Sequence, residues 1–183
     1  TRPKYEIEAL TLHEAVPGHH LQICLALELG EVPEFRKSAS FTGYIEGWAL
    51  YTEKLGAEMG FYTDLYSKFG QLSFEIWRAC RLVIDTGLHA FDWTREKAIE
   101  YMQYYTGKSE PACAVEVDRY IVMPGQATAY KLGELKILEL REKFEKVKGT
   151  DFDIKEFHDV ILRNGALPLD VLENYVNRYL EKT

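Results

Sequence analysis

The sequence predicts an all-α protein, a single helical domain of about seven to eight helices spanning residues 1–183. Three observations carry that expectation. Apolar residues recur at helical spacing through most of the chain, start and stop residues cut it at intervals, and alternating strand patterns joined by hairpin turns are scarce. A length of 183 residues and an apolar share of 46% suit one domain with a real core.

Each element has its own signal. Glu6 to about Leu29 is apolar-periodic, ends near Gly30 and is interrupted by Pro17-Gly18. A helix is expected from Gly43 to Met59, with Gly60 as its stop. The next spans Asp64 to Ala90 and carries Leu72, Ile76, Ala79, Val83 and Leu88. Thr94 suits the N-cap of a shorter helix ending near Gly107, and Ser109 that of another reaching Val122. Pro124-Gly125 is a break. Gln126 to Lys148 forms a long amphipathic helix through Leu132, Leu135, Leu138 and Phe144, closed by Gly149. Asp153 opens a helix that stops at Asn164-Gly165, and Pro168 suits the first turn of the last one. Only Lys37 to Phe41 is expected to be extended.

Composition excludes several classes. The formal net charge is −7 with Lys and Arg scattered, whereas nucleic-acid binding needs concentrated positive charge. No apolar run approaches the ~20 residues of a transmembrane helix. The start, Thr-Arg-Pro-Lys-Tyr-Glu, has neither an initiator Met nor the features of a signal peptide. It reads as part of a longer chain, so localisation stays unassigned. Cys24, Cys80 and Cys113 stand far apart and are expected to be small core residues rather than a disulfide framework.

The chemistry centres on His13-Glu14-Ala15-Val16-Pro17-Gly18-His19-His20. Five histidines are present, and three of them fall within these eight residues beside a glutamate. His-Glu followed by a further His is the layout of a zinc peptidase, whose usual His-Glu-x-x-His spacing puts both imidazoles on one helix face. Position 17 is Pro, so that spacing fails here. On a regular helix His20 lies ~20° from His13 around the axis but ~10 Å along it, and His19 ~120° away and ~9 Å along. Neither offset lets two rings meet at one ion. Pro17 and Gly18 together favour a kink that returns a later His towards His13. His19 needs the smaller correction and is preferred, with His20 as the fallback. Glu14 then lies beside the site as a general base. Glu46 is the candidate third ligand, because a carboxylate between Ile45 and Trp48 is costly unless paired or metal-bound. Glu53, on the same face, could orient a ligand histidine.

At these residues the chain resembles the bacterial DUF885 family, placed among the gluzincin-like metallopeptidases. The resemblance rests on His13-Glu14-Ala15-Val16-Pro17-Gly18-His19-His20-Leu21-Gln22 and on three further stretches in family order: Tyr44 to Tyr51, Arg81 to His89 and Met123 to Lys131. It implies the catalytic, C-terminal portion of a longer helical zinc hydrolase, with Zn2+ held by the His-Glu helix and a glutamate on the next helix. It also implies Glu14 as general base, a peptide substrate, and an N-terminal portion of the same protein as partner. The fragment by itself is not required to hold zinc or to be active. Gluzincins often place an acidic residue four positions after the ligand glutamate; here that position is Leu50.

Peptide hydrolysis also needs a donor for the oxyanion. Tyr120 and Tyr130, flanking the Pro124-Gly125 break, are the candidates, with His89 as another. Arg81 and Arg119 could hold a substrate carboxylate, although Arg81 and Asp85 read more simply as an i,i+4 helix pair. The extended piece ending at Phe41 is the segment placed to bind a substrate backbone. The alternative to an enzyme is a helical binding or scaffold domain with a vestigial metal site. A di-iron bundle is set aside, because it needs two Glu-x-x-His pairs.

Overall fold

The computed structural model describes residues 3–182, with the side chain of Lys37 excepted, so Thr1, Arg2 and Thr183 of the expected domain lie outside the described residues. The first expected helix is divided. A 3-10 turn at Lys4–Glu6 leads into α1 (Ile7–Glu14), and α2 (His19–Leu27) begins after the Pro17-Gly18 break. A short α3 (Glu34–Ser38) follows, and then α4 (Thr42–Glu58), α5 (Leu65–Ala90), α6 (Arg95–Thr106) and α7 (Glu110–Val122). After the Pro124-Gly125 break come α8 (Gln126–Lys148), a 3-10 turn at Gly149–Asp151, α9 (Ile154–Leu162) and α10 (Leu169–Leu180). The described residues contain no strand, and the fold is a single all-α domain. None of these helices is long and apolar enough to cross a membrane.

Local chemistry explains most boundaries. The Asp64 side chain accepts from the backbone N–H groups of Tyr66 and Ser67, Thr94 from Lys97 and Asp153 from Lys155, each satisfying a donor the helix start leaves open. Ser109 occupies the N-cap of α7 without a side-chain hydrogen bond. Pro168 stands at the N-cap of α10, just outside its first turn. Gly107 ends α6 in the left-handed region, at φ 64°.

The expected extended piece is a correction. Lys37 and Ser38 close α3, which Pro33 opens with φ −53° and ψ 138° and Glu34 continues. Ala39 and Phe41 near the end of the segment take extended dihedrals, but with no strand among the described residues they form no sheet edge.

Two helices set the frame. α4 and α8 meet at Gly47 and Gly133, where a Cβ on Gly47 would lie 2.4 Å from the Gly133 Cα. No larger residue fits that crossing. Beyond it, Tyr44, Trp48 and Tyr51 of α4 pack with Ile137, Leu140 and Phe144 of α8, and with α9 and α10 through Phe157, Ile161, Leu172 and Val176. A second core joins α5, α6 and α7 around Ile84, Met102, Val117 and Tyr120. A smaller one places Ala9 and Leu12 of α1 against Phe74. Cys80 and Cys113 are buried free thiols, whereas Cys24 is half-buried with its Sγ 3.8 Å from His20 Nε2. α1 is therefore wedged between α4 and α5, which fixes where its last turn points.

Candidate metal centre

The centre is built at the broken end of α1. His13 sits in the last turn and is 4% exposed, because Leu12 beside it enters the core. Three contacts hold the break in shape. The Thr52 hydroxyl donates to the Leu12 carbonyl at 2.9 Å, and the Trp48 Nε1–H to the Pro17 carbonyl at 2.8 Å. Gly18 lies against the carbonyls of α1, where a Cβ would come within 1.9 Å of the His13 oxygen. The Val16–Pro17 peptide is cis. The helix is interrupted over the four residues between Glu14 and His19, and α2 starts with His19 facing His13. The two rings meet edge to face with centroids 4.7 Å apart.

Glu46, in the second turn of α4, completes the group. Its Oε2 lies 3.3 Å from His19 Nε2 and 3.7 Å from His13 Nε2, and one ligand atom from each residue falls within 4.8 Å of the others. Two ligand atoms about 2.0–2.1 Å from one ion at tetrahedral angles stand about 3.3 Å apart, so the spacing suits a single ion. Glu46 Oε2 is also buried without a hydrogen-bond partner, despite two imidazole nitrogens facing it. Two imidazoles and one carboxylate form the donor set of a catalytic zinc site that leaves a position open. His20 is exposed and turned towards Cys24, away from Glu46.

The far side of His13 is fixed as well. Its Nδ1 lies 2.7 Å from Oε1 of Glu53, a fully buried carboxylate that also pairs with Arg78 Nη2 at 3.0 Å. This contact directs Nε2 towards Glu46. Burial pushes the His13 pKa down, but the carboxylates of Glu46 and Glu53 outweigh it and the net shift is upward. Burial likewise raises Glu46, yet the two histidines prevail and hold its carboxyl well below the ordinary range. Arg78 was invisible to the sequence reading. Its available signal is a cation on the buried face of α5 in helical register with Phe74 and Arg81, both buried.

The remaining predicted residues divide. Glu14 follows His13 directly and is exposed at the end of α1. The Tyr120 hydroxyl accepts from Arg81 Nε at 2.9 Å and Trp77 Nε1 at 3.2 Å, and donates to Glu116 Oε2 at 2.9 Å. Its proton is engaged. The Tyr130 hydroxyl accepts from Gln126 Nε2 at 3.1 Å and Arg119 Nη2 at 3.4 Å, which leaves its own proton unassigned. The His89 ring faces the Tyr120 carbonyl oxygen at 3.0 Å. The expected Arg81–Asp85 pair is a correction. Arg81 binds Glu116 at 2.9 Å instead, while Asp85 accepts from the Gly125 N–H at 3.0 Å and anchors the Pro124-Gly125 break. Tertiary partners with better placement displace the local pair.

An all-helical fold with two histidines and a glutamate gathered at a helix break defines a helical protein with a candidate metal centre. The model of the family described as bacterial protein of unknown function, DUF885, matches residues 1–176, and the chain belongs to that family. Among solved structures, it is similar to a candidate lipoprotein from Colwellia psychrerythraea, at 50% identity and TM-score 0.96 over 99% of this chain. It is also similar to a candidate lipoprotein of unknown function from Shewanella oneidensis, at 26% identity and TM-score 0.86 over 93% of this chain. The chain spans 31% of the length of each. No curated protein matches it.

Proposed function

We propose that this chain carries the zinc centre of a peptidase. The observation behind the reading is the convergence of His13 Nε2, His19 Nε2 and Glu46 Oε2, with His13 held from behind by Glu53. When bound, zinc supplies Lewis acidity towards a peptide carbonyl and the attacking water. Glu14, adjacent to His13 and open to solvent, accepts the proton of that water and passes it to the leaving amine. Tyr130 is the better of the two oxyanion donors, since its proton is uncommitted whereas that of Tyr120 is held by Glu116. Arg119 and Gln126 keep the Tyr130 hydroxyl in place. A row of exposed apolar side chains on α5, including Leu65, Phe69 and Leu72, suits cover by the further polypeptide that the longer relatives possess.

Metal analysis after dialysis against a weak chelator tests the centre. The wild-type chain is expected to keep a single zinc, and His13→Ala and Glu46→Ala to lose it. Glu14→Gln is expected to retain zinc while peptide hydrolysis drops on the order of 100- to 10,000-fold. A folded wild-type chain without zinc would overturn the reading, as would full activity in Glu14→Gln.

A further inference from the structure

A cavity of about 160 Å³ opens between α2, α3, the start of α4 and the segment before α10, along the two helices that carry His19 and Glu46. Its walls include Ala26, Leu27, Ile45 and Ala166, with Gln22 and Arg36 as the polar members. Its lining is tied to the proposed ligands through sequence position on those helices. Ile45 directly precedes Glu46, while Gln22 and Ala26 follow His19 within about 60° of its direction around α2. A space of about 150 Å³ lined by apolar groups is enough to hold a benzene ring.

The polar members are unsatisfied. Gln22 is 4% exposed, its Oε1 has no partner, and its Nε2 makes only a 3.5 Å contact with the Tyr44 carbonyl. Arg36 donates through Nη2 to the Asn164 carbonyl at 2.6 Å, but its Nε is buried without an acceptor. A buried acceptor and a buried donor left open beside apolar walls match a ligand that is mostly hydrocarbon but carries an N–H and a C=O. A peptide residue has that composition.

We infer that this cavity is a side-chain subsite next to the scissile bond, selecting an apolar residue of leucine to phenylalanine size; the identity of the ligand rests on the peptidase reading above. Gln22 Oε1 accepts the backbone N–H of that residue and Arg36 Nε donates to its carbonyl. The subsite, through Gln22, Ala26 and Ile45, makes this chain a determinant of substrate choice.

The probe is N-acetyl-L-phenylalaninamide, titrated into the metal-free chain while backbone amide signals are followed, with N-acetylglycinamide as the comparison. Saturable shifts at Gln22, Ala26 and Ile45 are expected. The phenylalanine amide should bind on the order of 10- to 100-fold tighter than the glycine amide, from burial of the ring. Ala26→Phe fills the cavity and should abolish the shifts; if that chain does not fold, Gln22→Leu should weaken binding several-fold. Equal affinity for the two amides, shifts confined to other residues, or none up to the solubility of the probe would overturn the inference. This readout needs no metal. Failure of the peptidase reading would show separately, in the zinc-content and Glu14→Gln outcomes given above.

Discussion

Replacing Glu53 by glutamine tests the support behind His13. Glu53 is fully buried, and its Oε1 faces both His13 Nδ1 at 2.7 Å and Arg78 Nη2 at 3.0 Å. The amide keeps an oxygen for His13 but removes the charge. Arg78, 6% exposed and stacked 4.4 Å over Phe74, then becomes a buried cation without a counter-charge. Breaking a buried pair from one side costs about 3–5 kcal/mol. A domain has roughly 5–15 kcal/mol in total, so Glu53→Gln removes a large share of it. In urea the midpoint should fall by roughly 1–5 M, given slopes of about 1–3 kcal/mol per molar. The double variant Glu53→Leu/Arg78→Leu removes both charges and should recover most of that loss, because apolar replacement of a whole buried pair is close to neutral. Zinc affinity, read by competition with a chelating dye, should stay about 10- to 100-fold weaker in both variants, since neither offers His13 its carboxylate. A loss below about 1 kcal/mol in Glu53→Gln, or a double variant no more stable than the single, would refute the reasoning, because Arg78 would then not depend on Glu53.

Two further outcomes follow from neighbouring geometry. Gly18→Ala places a Cβ 1.9 Å from the His13 oxygen and 2.3 Å from that of Leu12, both backbone atoms. The variant is expected to lose about 3 kcal/mol, the upper end for overpacking, and to weaken metal binding at the proposed centre; an unchanged urea midpoint and wild-type metal content would contradict this. His158 lies outside the centre, its Nε2 2.7 Å from the Tyr51 hydroxyl, and burial together with Arg141 pushes its pKa down from 6.5 to about 4. Above pH 6.5 both folded and unfolded states hold it neutral. As pH falls from 6.5 towards 4, the unfolded chain takes up a proton that the folded chain refuses, so stability declines and then levels off. Over that window His158→Gln should flatten the stability–pH curve by about 2 kcal/mol relative to wild type; parallel curves for the two proteins would exclude the assignment.

The helices were legible because their ends carry strong local signals. Asp64, Thr94 and Asp153 cap, and Gly107 and Gly149 stop, by chemistry that acts within a few residues. Where tertiary contacts decide, the sequence reading failed. The sequence marks Phe41 as the end of an extended edge, but no strand among the described residues pairs with that segment. Arg81 and Asp85 have ideal spacing for each other, and each found a stronger partner on α7 or at the following break. The same division runs through the centre. Glu46 stood out because an unpaired carboxylate on an apolar helix is costly. His19 is preferred over His20 from the Pro17-Gly18 break and does face His13 and Glu46, whereas Arg78 depends on which face of α5 meets α4.

The break between α1 and α2 stands in for the usual His-Glu-x-x-His spacing. A regular helix brings its two histidines together by periodicity alone, with no outside support. Here the second histidine arrives through a break, and the break has to be held by something else. α4 does this. The Trp48 indole N–H donates to the Pro17 carbonyl and the Thr52 hydroxyl to the Leu12 carbonyl, while Glu46 and Glu53 meet the two edges of His13. Four residues of one helix thus hold the break, complete the His13–His19–Glu46 group and orient His13. The position of α4 is in turn locked by Gly47 against Gly133 of α8, one residue from Glu46. The centre is therefore continuous with the main helix crossing of the fold. Its geometry is set by the register of α4 rather than by a local motif, which is why the His-Glu segment alone would be a poor guide to whether such a site can close.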